Sequence, residues 1–294
     1  MNRYMQDEKK FALVTGSSSG IGFESALLLA RNGFHTYASM RNLEKSRNIV
    51  EIANRDELPL QIIQLDVDDD KSVKDAIYRI ENEQGRIDVV VNNAGYLLIG
   101  PFEELSIKEF KEQFETNFFG AIRVIIEVLP IMRKQRAGTI VNISSLAGRI
   151  GLPLNSPYVS SKFALEGLSE SMAYELEQFG IKVVLIEPGY IKTNVANSFK
   201  TGKNVVVTAA DNKNNSPYAE LTQNRIAALG PSVEAGLDPI DVAKLILKAA
   251  TSENSDLRYL VGDGAIKLMD IRKNTSDENF RKLIMENVLH LSYD

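Results

Sequence analysis

Residues 11–31 limit the fold of this chain more than any other stretch. Phe11-Ala-Leu-Val-Thr15 is a short apolar run that stops at Gly16, the pattern of a buried strand. Gly16-Ser-Ser-Ser-Gly20-Ile-Gly22 follows, and a helical pattern then runs from Phe23 to Arg31. Glycines allow a tight turn and close backbone approach. A helix N-terminus offers free N–H groups and a partial positive charge to an anion. The spacing is G-x-x-x-G-x-G. It fits either a merely tight turn or a cradle for a dinucleotide pyrophosphate, and the strand–turn–helix frame favours the cradle.

The same alternation continues along the chain. Strand patterns recur at 34–40, 60–65, 88–91, 139–143, 181–186 and 257–261. Helical patterns recur at 43–54, 71–84, 106–133, 158–179 and 239–250. Alternating strands and helices predict an α/β fold: a doubly wound, mostly parallel, seven-stranded sheet with helices on both faces. One domain is expected over 1–294. Ligands bind such sheets at the C-terminal ends of strands, where the loops at Gly16, Arg41, Asp66 and Asn92 all fall. The alternation lapses over about 190–235, which reads as a substrate lid, and a C-terminal extension runs over about 265–294. The run Asp66-Val-Asp-Asp-Asp70 could resemble a metal site, but carboxylates there also suit a helix start.

Composition excludes several kinds of chemistry. There is no cysteine, so no thiol nucleophile, disulfide or thiolate metal site exists. The two histidines, His35 and His290, are far apart, and no metal centre is expected. A net charge of −5 argues against nucleic acid as a partner. The first ten residues are polar and charged, and no run of 18 apolar residues exists. The expectation is therefore a cytoplasmic protein without a membrane span.

Tyr158-Val-Ser-Ser-Lys162 carries the chemistry. A tyrosine and a lysine four apart on a helix share one face. An ammonium beside the phenol favours the phenolate and pulls its pKa down toward working pH. Ser145, thirteen residues earlier, could fix a carbonyl oxygen beside that phenol. The alternative is a half-exposed helix pair without a role. Asn117, inside a helical stretch, is either a tolerated polar residue or part of a network. Leu97, Leu98, Leu146, Leu152 and Tyr190 are either walls of an apolar pocket or core.

Thr15-Gly-Ser-Ser-Ser-Gly-Ile-Gly22, Asn92-Asn-Ala-Gly95, Asn117, Ser145, Tyr158-x-x-x-Lys162 and Pro188-Gly189 occur in the order of the short-chain dehydrogenase/reductase family, which the chain resembles over about residues 10–262. Gly151-Leu-Pro-Leu-Asn155 and Lys162-Phe-Ala-Leu-Glu-Gly167 resemble its 17-beta-hydroxysteroid and retinol dehydrogenase branch. The resemblance implies a Rossmann-like fold and hydride transfer between a nicotinamide and a carbonyl or alcohol substrate. Tyr158 would be the general acid or base. Lys162 would lower its pKa and bind the nicotinamide ribose. Ser145 would hold the substrate oxygen, and Asn117 a relay water. Gly16, Ser18, Gly20, Ile21 and Gly22 would cradle the pyrophosphate. Asp66 and Val67 would face the adenine, Asn93 and Ala94 the adenosine ribose, and Pro188, Gly189 and Thr193 the nicotinamide end.

Counting from Thr15, the ribose-binding acid of the family's NAD users falls at Met40, and the next residue is Arg41. NADP is therefore expected over NAD, unless Arg41 is only a surface arginine. The resemblance also implies a homodimer or homotetramer built on the helices at 106–133 and 158–179. The rival readings are a dinucleotide-binding sensor or scaffold without turnover, and an epimerase or dehydratase on the same scaffold.

Overall fold

The structure, a computed structural model, describes residues 9–192, 199–205 and 216–288. Strand β1 (Lys10–Val14) shows how the layers arise. Successive strand side chains point to opposite faces. Phe11 and Leu13 enter one core, while Ala12 and Val14 enter the other. Both faces of the strand are therefore apolar. Each fully buried Val, Leu or Phe contributes about 1.5–3 kcal/mol.

The elements that follow are α1 (Gly20–Arg31), β2 (Phe34–Met40), α2 (Arg47–Arg55), β3 (Leu60–Gln64), α3 (Asp70–Gln84), β4 (Val89–Asn92), β5 (Leu97–Ile99), α4 (Ile107–Phe114), α5 (Gly120–Gln135), β6 (Gly138–Ile143) and α6 (Ser156–Leu176). After them come β7 (Ile181–Pro188), β8 (Phe199–Thr201), α7 (Ala219–Glu234), α8 (Pro239–Thr251), β9 (Arg258–Val261), α9 (Asp263–Asn274) and α10 (Asp277–Val288). The main sheet has seven strands in the order β3-β2-β1-β4-β6-β7-β9. Every pairing in it is parallel. The expected doubly wound sheet is present. Its order reverses between β1 and β4, and the crevice at that reversal is where such sheets bind ligands.

Helix ends differ from the sequence expectation for local reasons. The stretch 106–133 is not one continuous α-helix. α4 opens with a capping box, Ser106 with Glu109, and gives way to a π turn at Glu115–Phe119 before α5 begins. α6 starts two residues before Tyr158, because Pro157 lies in its first turn, where no backbone N–H is required. The acidic run serves as a helix start: Asp69 Oδ1 accepts from Ser72 N at 2.7 Å. β5 and β8, which the pattern did not reveal, pair with each other in a small parallel ribbon.

The proposed lid over 190–235 falls partly outside the described residues, at 193–198 and 206–215. Its described part holds β8 and α7. Within the extension from 265, α9 and α10 fold back. Ala265, Phe280 and Ile284 pack with Leu146 and Ile150, just past Ser145.

The turn after β1 depends on two glycines. Gly16 has φ +69°, in the left-handed region. A Cβ at Gly22 would lie 2.4 Å from Asn93 Nδ2 and 2.5 Å from Gly16 O. Gly22→Ala is therefore expected to destabilise the fold by about 1–3 kcal/mol in urea denaturation. An unchanged midpoint would show that the start of α1 does not rest against Asn93.

Candidate active site

The glycine-rich turn is fastened to the end of β4. Thr15 is buried, and its Oγ1 donates to Val91 O at 3.2 Å and accepts from the N–H groups of Asn93 and Ala94, each at 3.0 Å. Asn93 Nδ2 donates back to Thr15 O at 2.9 Å and to Gly16 O at 3.2 Å. Ser17 bonds inward to Val14 O at 2.8 Å. Ser18 remains half-buried on the turn. Ser19 precedes α1 without a side-chain capping bond, and the first turn holds no acid. The leading N–H groups at Gly20, Ile21 and Gly22 are thus free of side-chain partners and suit a bound phosphate. The two crowded glycines leave room for that group to approach the backbone.

Other sequence candidates divide into surface and scaffold. Arg41 is exposed on the turn after β2, and its guanidinium has no hydrogen bond or ion pair among the described residues. Met40 is buried in the core. Asp66 Oδ1 accepts from Asp68 N at 3.2 Å, which shapes the turn after β3. Val67 is buried beneath Gly120. Asn93 turns its amide to the glycine turn, as described above, and both it and its neighbour Ala94 are half-buried there. Pro188 ends β7, and Gly189 N donates to Val261 O at 3.0 Å. Thr193 lies outside the described residues.

β6 delivers Ser145 to the same edge. Its Oγ caps the short turn after it, accepting from Ala147 N at 3.1 Å, and lies 3.4 Å from Pro188 O. Ser145 lies near enough to the Tyr158 hydroxyl to act on its proton. One turn along α6, Lys162 is buried, with Nζ 5.6 Å from the centre of the Tyr158 ring. That Nζ donates to Ile143 O at 2.7 Å.

The electrostatics differ from the expectation that the lysine lowers the tyrosine. Although the ring is half-buried, the hydroxyl is enclosed, and burial raises Tyr158 above its ordinary value. Ser145 acts in the opposite direction and only partly offsets this. Lys162 faces the ring and a backbone carbonyl rather than the hydroxyl. Burial lowers Lys162 to about 8, while Glu166 acts in the opposite direction.

Asn117 sits in the π turn with its amide fully engaged. Nδ2 donates to Tyr96 O at 2.9 Å, and Oδ1 accepts from Tyr96 N at 3.0 Å. Gln113 adds Leu98 N at 2.8 Å, so these two amides fix the backbone entering β5. The Asn117 side chain is thus a clamp on β5 and does not reach Lys162 through its amide.

A buried ion cluster lies behind α6 and was not visible as a motif. Glu187, 1% exposed at the end of β7, meets Arg149 at 2.8 Å and Arg258 at 3.4 Å. Arg258 also holds Glu166 at 2.9 Å and Glu170 at 2.6 Å. The cluster joins β7, β9, α6 and the turn after Ser145. Nothing in a linear pattern pairs charges so far apart, and the burial of the acids at 166 and 187 appears only once the chain is packed.

The apolar candidates do not form one wall. Leu97 belongs with Ile99, Leu154 and Leu229, whereas Leu146 and Leu152 meet α9 and α10. Leu98 is buried against Leu105 and Val205, on the other side of β5. Tyr190 is partly exposed at 42%. A surface hollow of about 510 Å³ beside Lys108 and Lys111 shares no residue with this site.

Because Lys162 titrates at about 8 in the folded chain and at its ordinary 10.5 when unfolded, the unfolded state binds more protons between those values. Stability relative to a variant without the amine therefore rises with pH in that window. The unfolding free-energy difference between the natural protein and Lys162→Met should move toward the natural protein by about 3 kcal/mol from pH 8 to 10.5. A difference flat with pH in denaturant titrations would mean that the amine is solvated.

Comparison with known proteins extends this picture. The family model for short chain dehydrogenase matches residues 10–204. Retinol dehydrogenase 8 of Bos taurus is 40% identical over 263 residues, covering 86% of this chain and 82% of that protein. A short-chain dehydrogenase from Streptomyces avermitilis superposes with a TM-score of 0.79 at 30% identity, covering 97% of this chain and 98% of that one. ElxO with NADP bound superposes with a TM-score of 0.71 at 30% identity, covering 88% and 99% of the two chains. The seven-stranded order, the glycine turn tied to β4 and the tyrosine–lysine turn are thus carried by a chain that belongs to the short-chain dehydrogenase family of oxidoreductases and resembles its retinol and hydroxysteroid dehydrogenase branch.

Proposed function

We propose that this chain is an NADP-preferring carbonyl reductase or alcohol dehydrogenase in which Tyr158 is the acid–base residue. The placement of Tyr158 beside Ser145, one helical turn from Lys162 and on the same sheet edge as the glycine turn, carries this reading. The bound nicotinamide would supply or accept the hydride. Gly16, Ser18, Gly20, Ile21 and Gly22 hold its pyrophosphate, with Ala94, Asp66 and Val67 along the adenosine half and Pro188, Gly189 and Thr193 at the nicotinamide end.

Ser145 donates to the carbonyl oxygen, and Tyr158 gives that oxygen its proton during reduction. A tyrosine raised by burial holds its proton until that transfer, which suits the reducing direction. Lys162 supplies positive charge beside the developing alkoxide and binds the ribose hydroxyls. Asn117 acts as a positioning residue through Tyr96 and the geometry of the π turn.

Arg41 binds the 2′-phosphate. Its free guanidinium can make two parallel bonds to phosphate oxygens. The assembly is a homodimer or homotetramer, supported by Phe119, Ile126 and Phe163, which remain exposed on the π turn, α5 and α6. The other aromatic candidates, Phe114 and Phe118, stack edge-on within the helix.

Tyr158→Phe should lower turnover at least about 10²-fold while cofactor affinity stays near natural. Assay of a ketone panel by absorbance of the reduced nicotinamide measures this. Retention of more than about a tenth of the activity would remove Tyr158 from the mechanism, and cofactor binding with no turnover of any ketone by the natural protein would favour a sensor.

The ratio of kcat/KM for NADPH over NADH should be about 10–100 and should collapse in Arg41→Ala, since bonds to a charged group contribute about 1.5–3 kcal/mol. A natural preference for NADH would refute the phosphate assignment.

A further inference from the structure

Arg225 is 2% exposed in the middle of α7, and no carboxylate reaches it among the described residues. Its one hydrogen bond runs from Nη2 to the Tyr190 hydroxyl at 3.0 Å. Its Nε is buried without a partner. Three residues earlier, Thr222 is 0% exposed, and its Oγ1 is also unpartnered. Residues three apart share a helix face, so Thr222 and Arg225 are placed on one face of α7. The contrast with Arg149 and Arg258 is sharp, because both of those end on acids. A guanidinium stays charged at any working pH. A buried charge without a counter-charge is costly, and the described residues supply none.

The surroundings indicate what would supply it. Leu221 and Leu229, one turn to either side of Arg225, pack with Leu97, Ile99 and Leu154. Leu154 is four residues before Tyr158. Tyr190 follows Pro188 by two residues, and the Pro188 carbonyl receives the Ser145 hydroxyl. The guanidinium is therefore tied, through Tyr190, to the segment just past β7, where the Pro188 carbonyl meets Ser145. Apolar side chains flank it on α7. Tyr190 is partly open to solvent, so a ligand has a way in.

We propose that Arg225 and Thr222, with Tyr190 steadying the guanidinium, bind an oxyanion, a carboxylate or a phosphate monoester, at the end of an apolar substrate whose carbonyl lies at Tyr158. This rests on the oxidoreductase reading and names the substrate class for that site. The oxyanion accepts from Nε and Nη2 of Arg225 and from the Thr222 hydroxyl. Such a site rejects an uncharged analogue, because the buried cation then stays unpaired. No bond is made or broken there.

The test uses straight-chain methyl ketones of several lengths bearing a terminal carboxylate, the matching methyl ester or a terminal phosphate. At the length that fits, kcat/KM for the carboxylate or the phosphate should exceed that of the ester at least tenfold, and whichever is preferred identifies the headgroup. In Arg225→Gln that ratio should fall toward one, and Arg225→Lys should keep part of it. Esters that equal both anions at every length overturn the proposal, as does a ratio that survives in Arg225→Gln.

A second readout does not need turnover. Calorimetry should show decanoate or decyl phosphate binding the full chain in the presence of NADP, and binding at least tenfold weaker in Arg225→Gln. Absence of binding of either anion by the natural protein overturns the site. Anion binding without reduction of any ketone would instead defeat the oxidoreductase reading and leave the anion site standing. Circular dichroism confirms that each variant is folded.

Discussion

The fastening of the glycine turn to β4 is the constraint on which the rest depends. One buried hydroxyl, that of Thr15, accepts two backbone N–H groups of the neighbouring loop, and the Asn93 amide returns two bonds to the turn. Both loops stand at the reversal of strand order. Each buried backbone group there needs a partner, and these bonds supply them without secondary structure. The consequence is a turn whose free N–H groups face outward while its carbonyls face in. An anion site needs that polarity.

Burial dominates the second half of the site. It raises Tyr158 and lowers Lys162, favouring the uncharged form of each. Glu166 opposes the shift at Lys162, and Arg258 in turn holds Glu166 and Glu187. Burial and the repulsion of Glu166 raise Glu187, whereas Arg149 and Arg258 pull it down. The protonation of the tyrosine–lysine turn is thus tied to packing between α6, β7 and β9. Removing one partner of such a cluster typically costs about 3–5 kcal/mol, because the other charges stay buried.

The sheet was legible because its strands are continuous apolar runs and its helices carry a 3.6 period. β5 and β8 were not, since three residues carry no period. The π turn was hidden for a related reason: one extra residue in a turn leaves Phe114 to Phe119 looking helical throughout. Motifs identified which residues gather at the sheet edge but not where their side chains point. The amides of Asn93 and Asn117 hold backbone. Arg225 and the Glu187 cluster carried no local signal, because burial of a charge is a property of the packed chain. The tyrosine shift was misjudged likewise: a helical spacing fixes the face that two residues share, not the dielectric around them.

The packing of α9 and α10 on the turn after Ser145 bears on how the protein is made. Leu146 and Ile150 leave the ribosome long before Phe280 and Ile284, which cover them. At synthesis rates of 5–20 residues per second the interval is on the order of ten seconds. The sheet strands through β7 can pair during that time, but the turn beside Tyr158 has no roof. A nascent chain therefore holds a preformed nucleotide crevice beside an open, greasy hollow. The apolar cover over the turn after Ser145 is thus added well after the strands it sits beside.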